Sequence, residues 1–138
     1  ETKKALPVDI AVCTAAISDF KPEKYEEKKI KKNSISLNFK RNLDILEFLS
    51  KNNSQRPKLV VGFAAETNSI KINSLKKLSE KNCDWIIAND VSKNDIGFDS
   101  DFNKVSIFYK NNSEENLPKM RKSSLANEIV NRIISQLN

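Results

Sequence analysis

Histidine is absent from this chain of 138 residues. That excludes a Ser-His-Asp triad, a Cys-His nucleophile pair, His-ligated zinc and an imidazole general base. Glycine is nearly as scarce, with Gly62 and Gly97 alone, so there is no Gly-rich phosphate loop of the Rossmann or Walker type. A nucleotide would have to be held by lysines and helix N-termini instead. The two cysteines, Cys13 and Cys83, lie in apolar surroundings. A single disulfide is open to them, but buried free thiols in a cytoplasmic protein are the preferred reading. No run approaches the ~18 apolar residues that span a bilayer, and no apolar signal-peptide region is seen before the first strand. Met120 is the only methionine and the chain opens at Glu1, so either a processed chain or a part of a longer gene product is expected, the second being preferred.

With 38% hydrophobic and 30% charged residues, the composition is that of a folded soluble protein rather than a disordered one. A domain of this length buries about 68% of the surface its unfolded chain exposes. The net charge is +6 and the pI 9.3, which raises a nucleic-acid reading. The basicity is mostly lysine, however, with arginine only at Arg41, Arg56, Arg121 and Arg132. Together with abundant Asn and Ile, this looks like coding bias over the whole chain. A dedicated RNA surface more often interleaves Arg with exposed aromatics.

Val8 to Cys13 reads as a largely buried strand that runs into Thr14-Ala15-Ala16. A charged segment follows, with six lysines from Lys21 to Lys32 against three glutamates. Ile35, Leu37 and Phe39 alternate with polar residues, the pattern of a half-buried strand. A helix begins at Asn42-Leu43-Asp44 and carries Ile45, Leu46, Phe48 and Leu49 on its apolar face. Leu59 to Ala64 is a strand of the kind buried on both faces of a parallel sheet. Thr67 or Asn68 caps the next predicted helix, which runs to about Asn82. Asp84 to Ala88 is another buried strand, Val105, Ile107 and Tyr109 mark a later one, and a helix over about Ser123 to Leu137 closes the chain. This order predicts an α/β sheet with helices on its faces. Ligands then sit beyond the carboxyl ends of the strands, where Thr14-Ala15-Ala16, Phe63-Ala64-Ala65-Glu66 and Ala88-Asn89-Asp90-Val91 are small or polar.

Five features carry candidate chemistry. Lys28, Lys29, Lys31 and Lys32 crowd four ammoniums into five residues. They form a solvated surface loop, a nuclear-localisation-like cluster or a mobile cationic flap that closes over phosphates. Lys77 and Lys81 share one helix face and repel unless compensated, with Glu80 one available partner. Asp19 is the one acid in a small or apolar turn, suited to a local cap, a ribose hydroxyl or a metal ion. Glu66, Asn89 and Asp90 stand at strand ends, where polar groups usually satisfy the backbone.

Ala15-Ala16-Ile17-Ser18-Asp19-Phe20, Lys29-Ile30-Lys31-Lys32, Gly62-Phe63-Ala64-Ala65-Glu66-Thr67 and Ala88-Asn89-Asp90-Val91-Ser92 with Gly97-Phe98 occur in that order. In this they resemble phosphopantothenate–cysteine ligase, commonly the C-terminal half of a bacterial bifunctional coenzyme A biosynthesis protein. The resemblance implies a Rossmann-like, three-layer α/β fold with a mostly parallel sheet, a homodimer, and CTP with Mg²⁺. It implies a two-step reaction in which 4′-phosphopantothenate is activated as an acyl-cytidylate and then joined to L-cysteine. Carried over by position, it implies catalytic roles for Lys29 and Asp19. It implies CTP contacts from Cys13, Thr14, Ala15, Asp19, Lys29, Leu43, Asp44, Ile45, Phe63, Lys77 and Lys81, and leaves any metal ligands unassigned. The helix start at Leu43-Asp44-Ile45 would favour an anion. Fusion to, or work beside, a flavin-dependent decarboxylase is a further implication. So is a cytoplasmic location, with no membrane or nucleic-acid partner.

The family's synthetase begins before the position matching Glu1, so residues 1–138 are expected to be one N-terminally incomplete CTP-binding domain. Leu43 stands where many relatives have proline, a tolerable change at a helix start. The alternatives are a basic RNA-binding module and another Rossmann-like nucleotide-binding enzyme.

Overall fold

A computed structural model describes residues 1–31, 34–51, 53–91 and 100–137. Lys32 of the cationic run, and Ser92 and Gly97-Phe98 of the last motif, lie outside the described residues. The chain forms a short helix α1 (Thr2–Ala5), strand β1 (Ile10–Cys13), strands β2 (Phe20–Pro22) and β3 (Phe39–Arg41), and helix α2 (Ile45–Ser50). Strand β4 (Leu59–Glu66), helix α3 (Ile70–Lys81), strand β5 (Trp85–Asp90), strands β6 (Phe102–Tyr109) and β7 (Glu114–Arg121), and helix α4 (Lys122–Leu137) follow.

Five strands make one sheet in the order β1-β4-β5-β6-β7. β1, β4 and β5 are mutually parallel, while β6 is antiparallel to both of its neighbours. Four of the five strands therefore run one way and β6 alone opposes them, which is the mostly parallel, Rossmann-like sheet expected.

Side chains alternate across a strand, so the apolar runs of β4 and β5 supply two cores. On one face Leu59, Val61, Trp85, Ile87, Val105 and Ile107 meet Leu125, Ile129 and Ile133 of α4. On the other, Val60, Ala64, Ile86, Ala88 and Phe108 meet Leu49, Leu78 and Cys83 under α2 and α3. Each buried aliphatic side chain contributes about 1.5–3 kcal/mol, so the two faces hold the three layers together. Gly62 lets α2 settle on β4: a Cβ there would lie 2.4 Å from Leu46 Cδ2. At the far edge Arg132 of α4 reaches Glu115 of β7, with Nη2 to Oε1 at 2.5 Å, and the Tyr109 hydroxyl donates to the same carboxylate at 3.0 Å.

Several local expectations change. The first strand starts at Ile10 rather than Val8 and is not largely buried, Val8 and Val12 being exposed. Its only pairing among the described residues is with β4, and α4 packs over β6 and β7 instead. Ile35, Leu37 and Phe39 are more than half exposed. Their segment ends in β3, which pairs with β2 in a separate antiparallel ribbon that no other layer covers among the described residues. Helix α3 is entered through Ser69 in a left-handed conformation with no side-chain cap bond, not through Thr67 or Asn68. β7 carries Pro118 and two glutamates and is a strand that the sequence reading does not include. Its proline is tolerated because β7 is an edge strand, irregular where it opposes Asn103 to Val105.

Candidate functional site

β1 ends at Cys13, opposite Gly62, and β4 runs on beside β5 to Glu66, opposite Asp90. Beyond them the chain continues through alanines, threonines and serines that keep side-chain bulk away from the backbone. A cavity of about 870 Å³ opens there, at the carboxyl ends of the strands and within the usual size of a ligand site. Cys13, Thr14 and Ala15 line it from the β1 exit, Asp19 from the foot of the ribbon, and Leu43, Asp44 and Ile45 from the start of α2. Phe63 lines it from β4, and Lys77 and Lys81 from α3. The structure thus gathers at one cavity every nucleotide-site residue expected from the sequence except Lys29, which is exposed and outside the lining.

Lys77 and Lys81 are one helical turn apart, and α3 turns them to the cavity because Ser74 and Leu78 occupy its buried side. Each ammonium already has a carboxylate. Lys77 Nζ lies 2.6 Å from Glu66 Oε1, and Lys81 Nζ lies 2.9 Å from Asp44 Oδ2 and 3.8 Å from Glu47 Oε2. Glu80, the partner available by sequence spacing, is 3.8 Å from Lys76 instead. Spacing along one helix misses these acids because they arrive from β4 and α2.

Asp44 is also the cap of α2, accepting the Glu47 amide at 2.8 Å. Burial opposes its ionisation, but the Glu47 amide and the Lys81 ammonium outweigh that and hold its carboxyl below the ordinary aspartate range. Lys81 is held above the ordinary lysine range, first by its hydrogen bond to Asp44 and against partial burial. Lys81 therefore faces the cavity as an ammonium at neutral pH. α2 is six residues long, and its cap already takes one amide, so the lysines supply the main positive charge at this wall.

Cys13 and Cys83 are free thiols. Burial, then the Asp44 charge, raises Cys13, and burial pushes Cys83 up to about 12. Neither has the thiolate character of a nucleophile.

The cationic segment is carried by the ribbon. Phe20 pairs with Arg41, Lys21 with Lys40 and Pro22 with Phe39, so Lys28, Lys29 and Lys31 lie on the stretch joining β2 to β3. Asn42 pins the ribbon's foot to the cavity rim. Its amide N–H donates to the Asp19 carbonyl at 2.7 Å and its side-chain Nδ2 to the Ser18 carbonyl at 3.1 Å, and all three residues line the cavity. The sequence does not show this clamp, and only its place between a strand exit and a helix cap hints at it. Asn89 and Asp90 end β5 and lie outside the cavity lining. Among the described residues no group of three or more His, Cys, Asp or Glu side chains could hold a metal ion.

The family model described as DNA/pantothenate metabolism flavoprotein C-terminal domain matches residues 1–137. The chain is 42% identical over 127 residues to the coenzyme A biosynthesis bifunctional protein CoaBC of Bacillus subtilis, covering 91% of this chain and 31% of that protein. With the protein of the same name from Vibrio cholerae it shares 34% identity over 139 residues, covering 98% of this chain and 34% of that one. It spans about a third of the length of these curated relatives. The crystal structure of the C-terminal domain of a CoaBC protein is similar with a TM-score of 0.71 and 31% identity, over 94% of this chain and 55% of that one. A match along nearly the whole chain and a shared sheet architecture agree, and the chain belongs to the DNA/pantothenate metabolism flavoprotein C-terminal domain family.

Proposed function

We propose that the chain serves coenzyme A biosynthesis as the synthetase part of a phosphopantothenate–cysteine ligase that uses CTP. Its family and its bifunctional relatives support the pathway. The observation that carries the ligase reading is one cavity that brings together Lys77 and Lys81 of α3, Phe63 of β4, the Cys13–Ala15 exit of β1, Asp19 and the Asp44 cap of α2. In the first step a carboxylate oxygen of 4′-phosphopantothenate attacks the α-phosphorus of CTP, and pyrophosphate leaves with the bonding electron pair. In the second, the amine of L-cysteine attacks the acyl carbon and CMP leaves. Neither step requires an imidazole; both require phosphates held in place and their charge offset.

Lys77 and Lys81 do this at the wall. Asp19 and the Cys13–Ala15 backbone hold the nucleoside end, and Lys29 arrives on the ribbon segment above the rim. Mg²⁺, when bound with the nucleotide, would offset triphosphate charge. A cytoplasmic homodimer fused to, or working beside, a flavin-dependent decarboxylase completes the proposal. Lys29→Gln in the complete enzyme tests it: turnover should fall at least about a hundredfold while the thermal midpoint is unchanged. Turnover equal to wild type would remove the ribbon from the reaction.

A further inference from the structure

Glu66 is the last residue of β4, paired in register with Asp90 of β5, and its carbonyl accepts the Val91 amide at 3.0 Å. Its backbone is thus fixed in the sheet, and its side chain is only 10% exposed. Both carboxylate oxygens are committed to α3. Oε1 accepts from Lys77 Nζ at 2.6 Å and Oε2 from Asn73 Nδ2 at 3.1 Å, while that same amide donates to the Asn68 carbonyl at 3.0 Å. Lys77 lines the cavity, whereas Glu66 and Asn73 do not. Lys81 has the opposite arrangement, since its partner Asp44 lines the cavity itself and meets an entering anion with its own negative charge.

We infer that Glu66 is a positioning residue, set behind Lys77 to hold its ammonium at the cavity wall for the phosphates of the nucleotide, with Asn73 orienting the carboxylate. A lysine stem left free samples many rotamers, and a ligand must then order it on binding. Anchoring from behind removes that cost and keeps the charge forward. The carboxylate also stands outside the ligand's path, since Glu66 is not part of the cavity lining. The inference rests on the ligase reading, because it takes a nucleotide triphosphate as the anion.

The test is CTP titration and steady-state kinetics of the complete protein, comparing wild type, Glu66→Gln, Lys77→Ala, the double variant and Asn73→Ala, each below its own unfolding transition. Glu66→Gln and Lys77→Ala should each weaken CTP binding by about tenfold. The double variant should be no weaker than Lys77→Ala. The KM for CTP should rise more than kcat falls. Asn73→Ala should lose a few-fold in wild type and nothing in the Lys77→Ala background, which keeps the test open if Glu66→Gln does not fold. Undiminished CTP affinity in Glu66→Gln, losses that multiply in the double variant, or an Asn73→Ala loss that persists without Lys77 would overturn the inference alone. A wild-type protein that does not bind CTP would overturn the ligase reading and this inference with it.

Discussion

Asp44 shows how much one side chain holds at this site. It caps α2, neutralises Lys81 and lines the cavity. Losing the cap alone should cost about 1 kcal/mol, so Asp44→Ala should lower the thermal midpoint. Its folded-state carboxyl is held below the ordinary value of 3.8. The stabilisation it gives is therefore complete above that value and lost as pH falls through the lower folded one. Asp44→Asn keeps a capping oxygen and does not titrate, so its midpoint should fall less than wild type between about pH 5 and pH 2. Parallel midpoints for the two proteins over that range would refute the Asp44–Lys81 linkage. The lysine pair was visible in sequence because four-residue spacing on a helix is a local fact. Its acids were not, because Glu66 and Asp44 reach the lysines only when β4, α2 and α3 pack.

Among the elements, the contact of α2 with β4 sets the cavity floor. Gly62 leaves no room between the strand and Leu46, so Gly62→Ala should destabilise the protein by about 1–3 kcal/mol, read by thermal or denaturant unfolding. A midpoint equal to wild type would mean that α2 rides free of the sheet. β4, β5 and α4 are legible in sequence because each buries a long apolar face whose period survives any context, and α3 because Ile70, Leu75 and Leu78 repeat at helical spacing between two such strands. β7 is not, since an edge strand may carry glutamate and proline on its open side. The Ile35–Phe39 alternation misleads for a related reason: period two records a ribbon's two faces whether or not anything covers one.

For the molecule as a whole, the three-layer order and the place of the cavity follow from strand ends read in sequence, since an α/β sheet opens its ligand site where parallel strands finish. The position of the cationic run does not follow, because it depends on a ribbon closed by β2 and β3 and pinned by Asn42. A net charge of +6 attracts any polyanion, so anion binding alone distinguishes nothing. Selectivity for one nucleotide does. The most direct measurement is calorimetric titration of the protein with CTP and with ATP, each with Mg²⁺, at two salt concentrations. Saturable binding that prefers CTP and keeps that preference at the higher salt is the predicted result. Equal, steeply salt-dependent binding of both nucleotides, or binding of neither, would contradict the account.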